Sequence, residues 1–248
     1  MSGWFRKLMG GNAPAPPIRK VEPILSIPLP EDRPGPRFGD QPLRKIFMED
    51  LLRGEGVRVN PHLPVIESEA EASIRSVTEV ADRLLALTAV AVKGEGLEQE
   101  YVESFIEKRA IHPLLTPRER DFIAQKAPSQ HERVQFSWRY EAAWTLFWAL
   151  GWTDGVLGLP RAICDVSHLV ATVRDNPDLT IHGRRSANDI LNEADLIYRC
   201  HWAVVQASID GELPSGGLDP GVTMERHHAL NWLICYDNAD WDDVTTDT

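Results

Sequence analysis

The chain has 248 residues, 43% of them apolar, enough for one large domain or two small ones with a real core. Its formal charge is −11, and because residues 1–40 hold six Lys/Arg against four Asp/Glu, the rest carries −13. Such a body repels phosphate backbones, which excludes nucleic-acid binding as a main activity. Apolar runs such as AVAV (Ala89–Val92) and FWAL (Phe147–Leu150) fall far short of the ~20 residues that span a bilayer, so no integral membrane segment is expected.

The first eleven residues, MSGWFRKLMGG, lack the h-region of a signal peptide, and Ser2 stands where a myristoylated glycine would be. Cytoplasmic localisation is therefore expected. Trp4, Phe5 and Leu8 share a helical face and read either as a weak membrane-surface contact or as a frayed terminus. Nine prolines between Pro14 and Pro42 predict an extended, disordered tether over residues 1–41, with a helical domain over 42–248.

Within that domain, Leu43–Gly56 has apolar residues at helical spacing and ends in glycine, and Val57–Ser68 reads as a loop or short extended piece. Ser76 and Glu79 have capping-box spacing at the start of an amphipathic helix that runs to Gly94. A helix over Glu98–Lys108 follows. Thr116, Pro117 and Glu119 then form a second capping box with proline in the first turn. From about Ser129 to Leu150 a central helix is predicted, since Ala142–Leu150 is apolar on every face except at Thr145; Gly151 is placed to end it. Pro160 can open a helix to about Arg174, Asn188–Ile209 makes a long one, and Asp219-Pro220 caps a last helix reaching about Cys235. The fold class is mainly α, a compact multi-helix single domain.

Cys164, Cys200 and Cys235 form no C-x-x-C pair and read as buried thiols. His201 occupies a position on the long helix where an aliphatic residue would pack, and His227 does the same on the last one, so both point inward. Glu141 lies one turn from Trp138, Trp144 and Thr145. Two readings follow. In the structural one, Glu141, Arg139, His201, Arg226 and His227 form a satisfied buried network. In the functional one, Glu141, His201, Glu225 and His227 are acid, base or ligand in a polar pocket, with Arg139, Arg226 and Asn231 as binding groups.

Glu225 and His228 have the E-x-x-H spacing of helical metal sites, and Asp165 with His168 repeats it with a shorter acid; Glu141 and Asp195 could add carboxylates. Against this, His227 and His228 lie about 100° apart around a helix and cannot face one centre. No cofactor is expected, with a metal ion as the minor alternative. The terminal DNADWDDVTTDT (Asp237–Thr248) carries five aspartates without EF-hand spacing and reads as a solvated acidic terminus anchored by Trp241. No P-loop, dinucleotide fingerprint, G-x-S-x-G or H-E-x-x-H is present.

The runs VNPHLPVIES, IRSVTEVADRLLAL, LTPRERDFI, FSWRYEAAWTLFWALG, ICDV, DLIYRCHWAV, GLDPGVTMERHHALNWL and WDDVTTDT together resemble a bacterial family, domain of unknown function 4272, over about Leu43 to Thr248. The resemblance implies one compact domain and brings with it no reaction, ligand or catalytic residue. The sequence reading is an uncharacterised binding or interaction module whose acidic surface suits a basic protein partner. The alternative is an enzyme, a hydrolase with or without a metal, using a pocket between the C-terminal helices.

Overall fold

The structure, a computed structural model, describes residues 40–248; the predicted tether up to residue 39, with Trp4, Phe5 and Leu8, lies outside them. Helices α1 (Asp40–Gly54), α2 (Val77–Glu95), α3 (Gln99–Lys108), α4 (Pro117–Ala124), α5 (Gln130–Ser137), α6 (Arg139–Ala149), α7 (Val166–Asp175), α8 (Ala187–Asp210) and α9 (Pro220–Leu233) are joined by loops and short 3-10 turns, with no strand among the described residues. None of these helices is long and apolar enough to cross a membrane.

Local signals fix most helix ends. Ser76 and Thr116 each accept a hydrogen bond from the backbone N–H three residues on, while Glu79 and Glu119 reach back to complete both boxes. The carboxylate of Asp219 caps α9 ahead of Pro220. At the far end of α2, Gly96 takes φ 113°, a conformation that an L side chain resists.

Neighbouring layers run α2–α6–α9–α8–α1, with α5 also against α2 and α7 against α6. One apolar cluster extends through them from Met48 to Val244. Helix α2 is enclosed more completely than an amphipathic pattern predicts, since every residue from Arg83 to Gly94 is buried. Its polar members are satisfied in place: Lys93 Nζ donates to Gln99 Oε1 and to the Ile123 and Gln125 carbonyls, closing the end of α4. Gly94 lets α5 come close, because a Cβ there would sit 2.6 Å from Ser137 N and 2.7 Å from Arg133 O.

Two predicted elements differ. The single helix expected over Ser129–Leu150 is broken at Trp138 into α5 and α6. Tertiary packing sets that break: the Trp138 ring lies over Gly221, where a Cβ would come within 2.6 Å of it. The helix expected from Pro160 begins at Val166 instead, since the Pro160 carbonyl accepts from Asp219 N and Asp165 caps the later start by accepting from His168 N.

Candidate functional site

Helix α9 carries Glu225, Arg226, His227 and His228 in succession, and consecutive helical residues point about 100° apart. A helix packed on all sides therefore sends each to a different neighbour. Arg139 Nη1 on α6 donates to both carboxylate oxygens of Glu225, at 3.1 and 2.9 Å. Arg226 reaches Glu141 Oε2 on α6 at 3.3 Å. His227 Nδ1 lies 2.8 Å from His201 Nδ1 on α8, and His228 Nε2 lies 3.0 Å from the Trp241 carbonyl oxygen. One turn further on, Asn231 donates to the Thr245 carbonyl at 2.9 Å. The predicted inward histidines thus meet each other, but the predicted five-membered network divides into separate pairs.

Around Arg226 these pairs hold a loop. Its Nη1 donates to the Leu157 and Gly158 carbonyls, while the other Glu141 oxygen accepts from Cys164 N at 2.6 Å. Glu193 on α8 accepts from Leu157 N; its burial pushes its carboxyl up to about 7, against the pull of that N–H and of Arg226. Burial likewise raises Glu225 and Cys164, and pushes the Cys200 thiol up to about 12, leaving Cys200 a poor nucleophile. For the histidines, burial disfavours the charged form. His227 is lowered to about 3, chiefly by burial and then by His201 and His228; His201 is lowered for the same first reason. His228 is lowered to about 4 by burial and then by Arg139, opposed by its bond to Trp241. Two ring nitrogens 2.8 Å apart require one N–H and one lone pair, so the two rings are never both charged, and burial opposes the charge on either.

The residues of the E-x-x-H readings are not brought together. Asp165 caps α7 through His168 N, Glu225 is taken by Arg139, and Asp195 forms a bidentate pair with Arg199 on α8, which also reaches Glu49 on α1. Among the described residues no three His, Cys, Asp or Glu side chains are grouped to hold a metal ion.

Two clefts meet at the C-terminal Trp241 turn. The smaller, of about 390 Å³, lies between α4, α5 and that turn, and is lined by Phe122, Phe136 and Arg139 among others. The larger, of about 700 Å³, lies between the first turns of α2, the entry to α4 and residues 240–243. Arg75 and Arg83 line the larger cleft and are already engaged. Arg75 lies over the Trp232 ring at 5.0 Å and bonds Glu79; Arg83 lies over Trp241 at 5.0 Å and bonds Glu119 at 2.6 Å. Asp82, Asp240, Asp242 and Asp243 line it as well, and none of the four makes an ion pair or a side-chain hydrogen bond among the described residues. Burial raises the Asp82 carboxyl above its ordinary value. Of the site residues expected from sequence, Arg139 alone borders either cleft.

The segments that build this arrangement, from α1 to the Trp241 turn, are also those matched by a family model, Domain of unknown function (DUF4272), over residues 44–244. The chain belongs to that family. Neither a curated protein nor a solved structure matches it. In this DUF4272 chain the ERHHALNW and WDDV segments form one unit, because His228 and Asn231 hold the C-terminal segment against α9. Sequence reasoning missed Arg83, Asp82, Glu193 and the Arg199–Asp195 pair. The available signal was a charge at a core register: Arg83 falls between Val80 and Leu84 of the apolar stripe, and Arg199 sits a turn from Asp195.

Proposed function

We propose that this protein is an interaction module that takes a cationic partner into the cleft beside Trp241. The observation that carries the reading is the set of four aspartates around that cleft with no ion pair among the described residues, in a protein where five of the six buried acids, Glu49, Glu119, Glu141, Asp195 and Glu225, meet an arginine and the sixth, Glu193, accepts from a backbone N–H. Unpaired carboxylates crowded into one concavity repel each other, and a partner's ammonium or guanidinium groups relieve that repulsion. What weighs against the enzyme alternative is that Glu141, Glu225, His201 and His227 are spent on partners within the fold, and that neither cleft is lined by them.

The test is calorimetric titration of the full chain with the blocked peptide acetyl-Ala-Arg-Ala-Arg-Ala-amide and with its Asp-for-Arg counterpart. The arginine peptide is expected to bind with an affinity that falls as salt rises, and to bind more weakly when Asp240, Asp242 and Asp243 are all changed to Asn. Failure of the arginine peptide to bind, or an affinity untouched by the triple substitution, would contradict the reading.

A further inference from the structure

Helix α1 carries apolar side chains on two faces. On the inward face Met48 and Leu52 enter the core beside two buried charges that are both answered: Arg44 donates to Asp40 at 2.9 Å and to Asn192 at 3.0 Å, and Glu49 accepts from Arg53 at 2.9 Å. Leu43, Ile46 and Phe47 face the other way. They stand 51%, 57% and 39% exposed at positions i, i+3 and i+4, which gathers them into one patch over the first two turns, and none of them joins the apolar cluster. A helix that turns charges inward and three large apolar groups outward is built for a second contact. Single exposed apolar side chains are ordinary, whereas adjoining ones mark a surface that something covers.

The size of the patch argues for its occupant. Three side chains fall well short of the about 800 Å² that each partner buries in a standard interface, so a second copy or a separate protein gains little from this face. A segment of the same chain needs less, because a short tether holds it near the face at an effective concentration of about millimolar. The sequence just ahead of Asp40, the first described residue and the first of α1, contains such a segment. In ILSIPL (Ile24–Leu29) only Ser26 is polar, and in an extended chain Leu25, Ile27 and Leu29 fall on one side. Alternate residues of an extended chain recur about every 6.6 Å, close to the rise of about 6 Å from Leu43 to Phe47. Pro23, Pro28 and Pro30 withhold backbone donors, so the segment is suited to contact through side chains and not to adding a strand. The linker is long enough: the ten residues Pro30–Gly39 reach up to about 35 Å, whereas α1 rises only about 10 Å from Asp40 to Phe47.

We infer that Ile24–Leu29 folds back on α1 and packs Leu25, Ile27 and Leu29 against Leu43, Ile46 and Phe47. The outward face of α1 is thereby covered from within the chain. None of these residues lines either cleft, so the contact stands or falls independently of the cationic-partner reading.

The experiment places the photoreactive p-benzoylphenylalanine at Phe47 of the full-length chain and maps its cross-links by mass spectrometry over a range of protein concentrations. Cross-links within one molecule to residues 24–29 are expected, in a yield that does not change with concentration. They are lost when Leu25→Ser, Ile27→Ser and Leu29→Ser are combined. Circular dichroism matching the wild type shows that the labelled chain is folded, and the same label at Ile46 gives the reading a second position should Phe47 not tolerate it. Cross-linked dimers whose yield climbs with concentration would overturn the inference in favour of a second copy. Cross-links that reach only residues 1–11, that persist in the triple serine variant, or that fail to form at either position would overturn it as well.

Discussion

The interior and the Trp241 cleft use the same residue types in opposite ways. Between α6, α8 and α9, carboxylates and guanidinium groups are buried and matched: Glu141 with Arg226, Glu225 with Arg139, Asp195 with Arg199. In the cleft, two arginines are already committed and four aspartates make no ion pair among the described residues. Charges removed from water are tolerated when paired and costly when not, so the first set holds the fold together, while the second, partly in solvent, is the set proposed above to meet a cationic partner. A cluster of polar residues deep between helices is thus weaker evidence of a site than a looser group that leaves its own chemistry unfinished.

The comparison breaks most visibly at Arg226. Arg226→Met leaves Glu141 buried without its cation and releases the Leu157 and Gly158 carbonyls; a loss of about 3–5 kcal/mol is expected from urea unfolding. An unchanged midpoint would mean that the pair carries no stability.

A second lever is pH. His227 has its folded-state pKa depressed to about 3 from an ordinary 6.5, so the unfolded chain takes up the proton first. The stability this group contributes is complete above pH 6.5 and is lost as pH falls from there toward 3, at about 1.4 kcal/mol per pH unit for each proton. Doubly substituted His201→Leu/His227→Leu protein should show a shallower decline between pH 6.5 and 4 in the same urea titrations. Parallel slopes would show that the pair does not carry the acid sensitivity.

Smaller effects test the scaffold beneath the cleft. Gly94→Ala places a methyl group against the α5 backbone, and overpacking of this kind costs about 1–3 kcal/mol despite alanine's better helix propensity. Thr116→Ala removes one half of the box that starts α4 at the cleft's edge, with an expected loss of about 1 kcal/mol. Both are read from thermal or urea midpoints, and a stabilised Gly94→Ala would contradict the close approach of α2 and α5.

Much of the helical scaffold was legible because its ends are written locally. Ser76 with Glu79, Thr116 with Glu119 and Asp219 with Pro220 start helices by side-chain bonds within four residues. The break at Trp138 was not, because it depends on Gly221, more than eighty residues away. Likewise Pro160 permits a helix to start, but bonds from Asp219 and to Glu141 decide that the start is Val166. For the site, the sequence showed that His201, His227 and Glu141 point inward. It did not show their partners, since residues 225–228 face four directions and only the packed neighbours decide which direction meets what. Asp82 escaped notice because an aspartate on the polar side of an amphipathic pattern looks solvated until the C-terminal turn closes over that side.

The most direct measurement is a matched pair of unfolding curves, Glu141→Gln against Asp82→Asn, each removing one carboxylate charge by an isosteric amide. If the interior acids hold the fold and the cleft acids are reserved for a partner, Glu141→Gln lowers the unfolding midpoint, whereas Asp82→Asn leaves it unchanged or raises it. A midpoint lowered equally by both substitutions would contradict the account, since Asp82 would then be one more structural carboxylate.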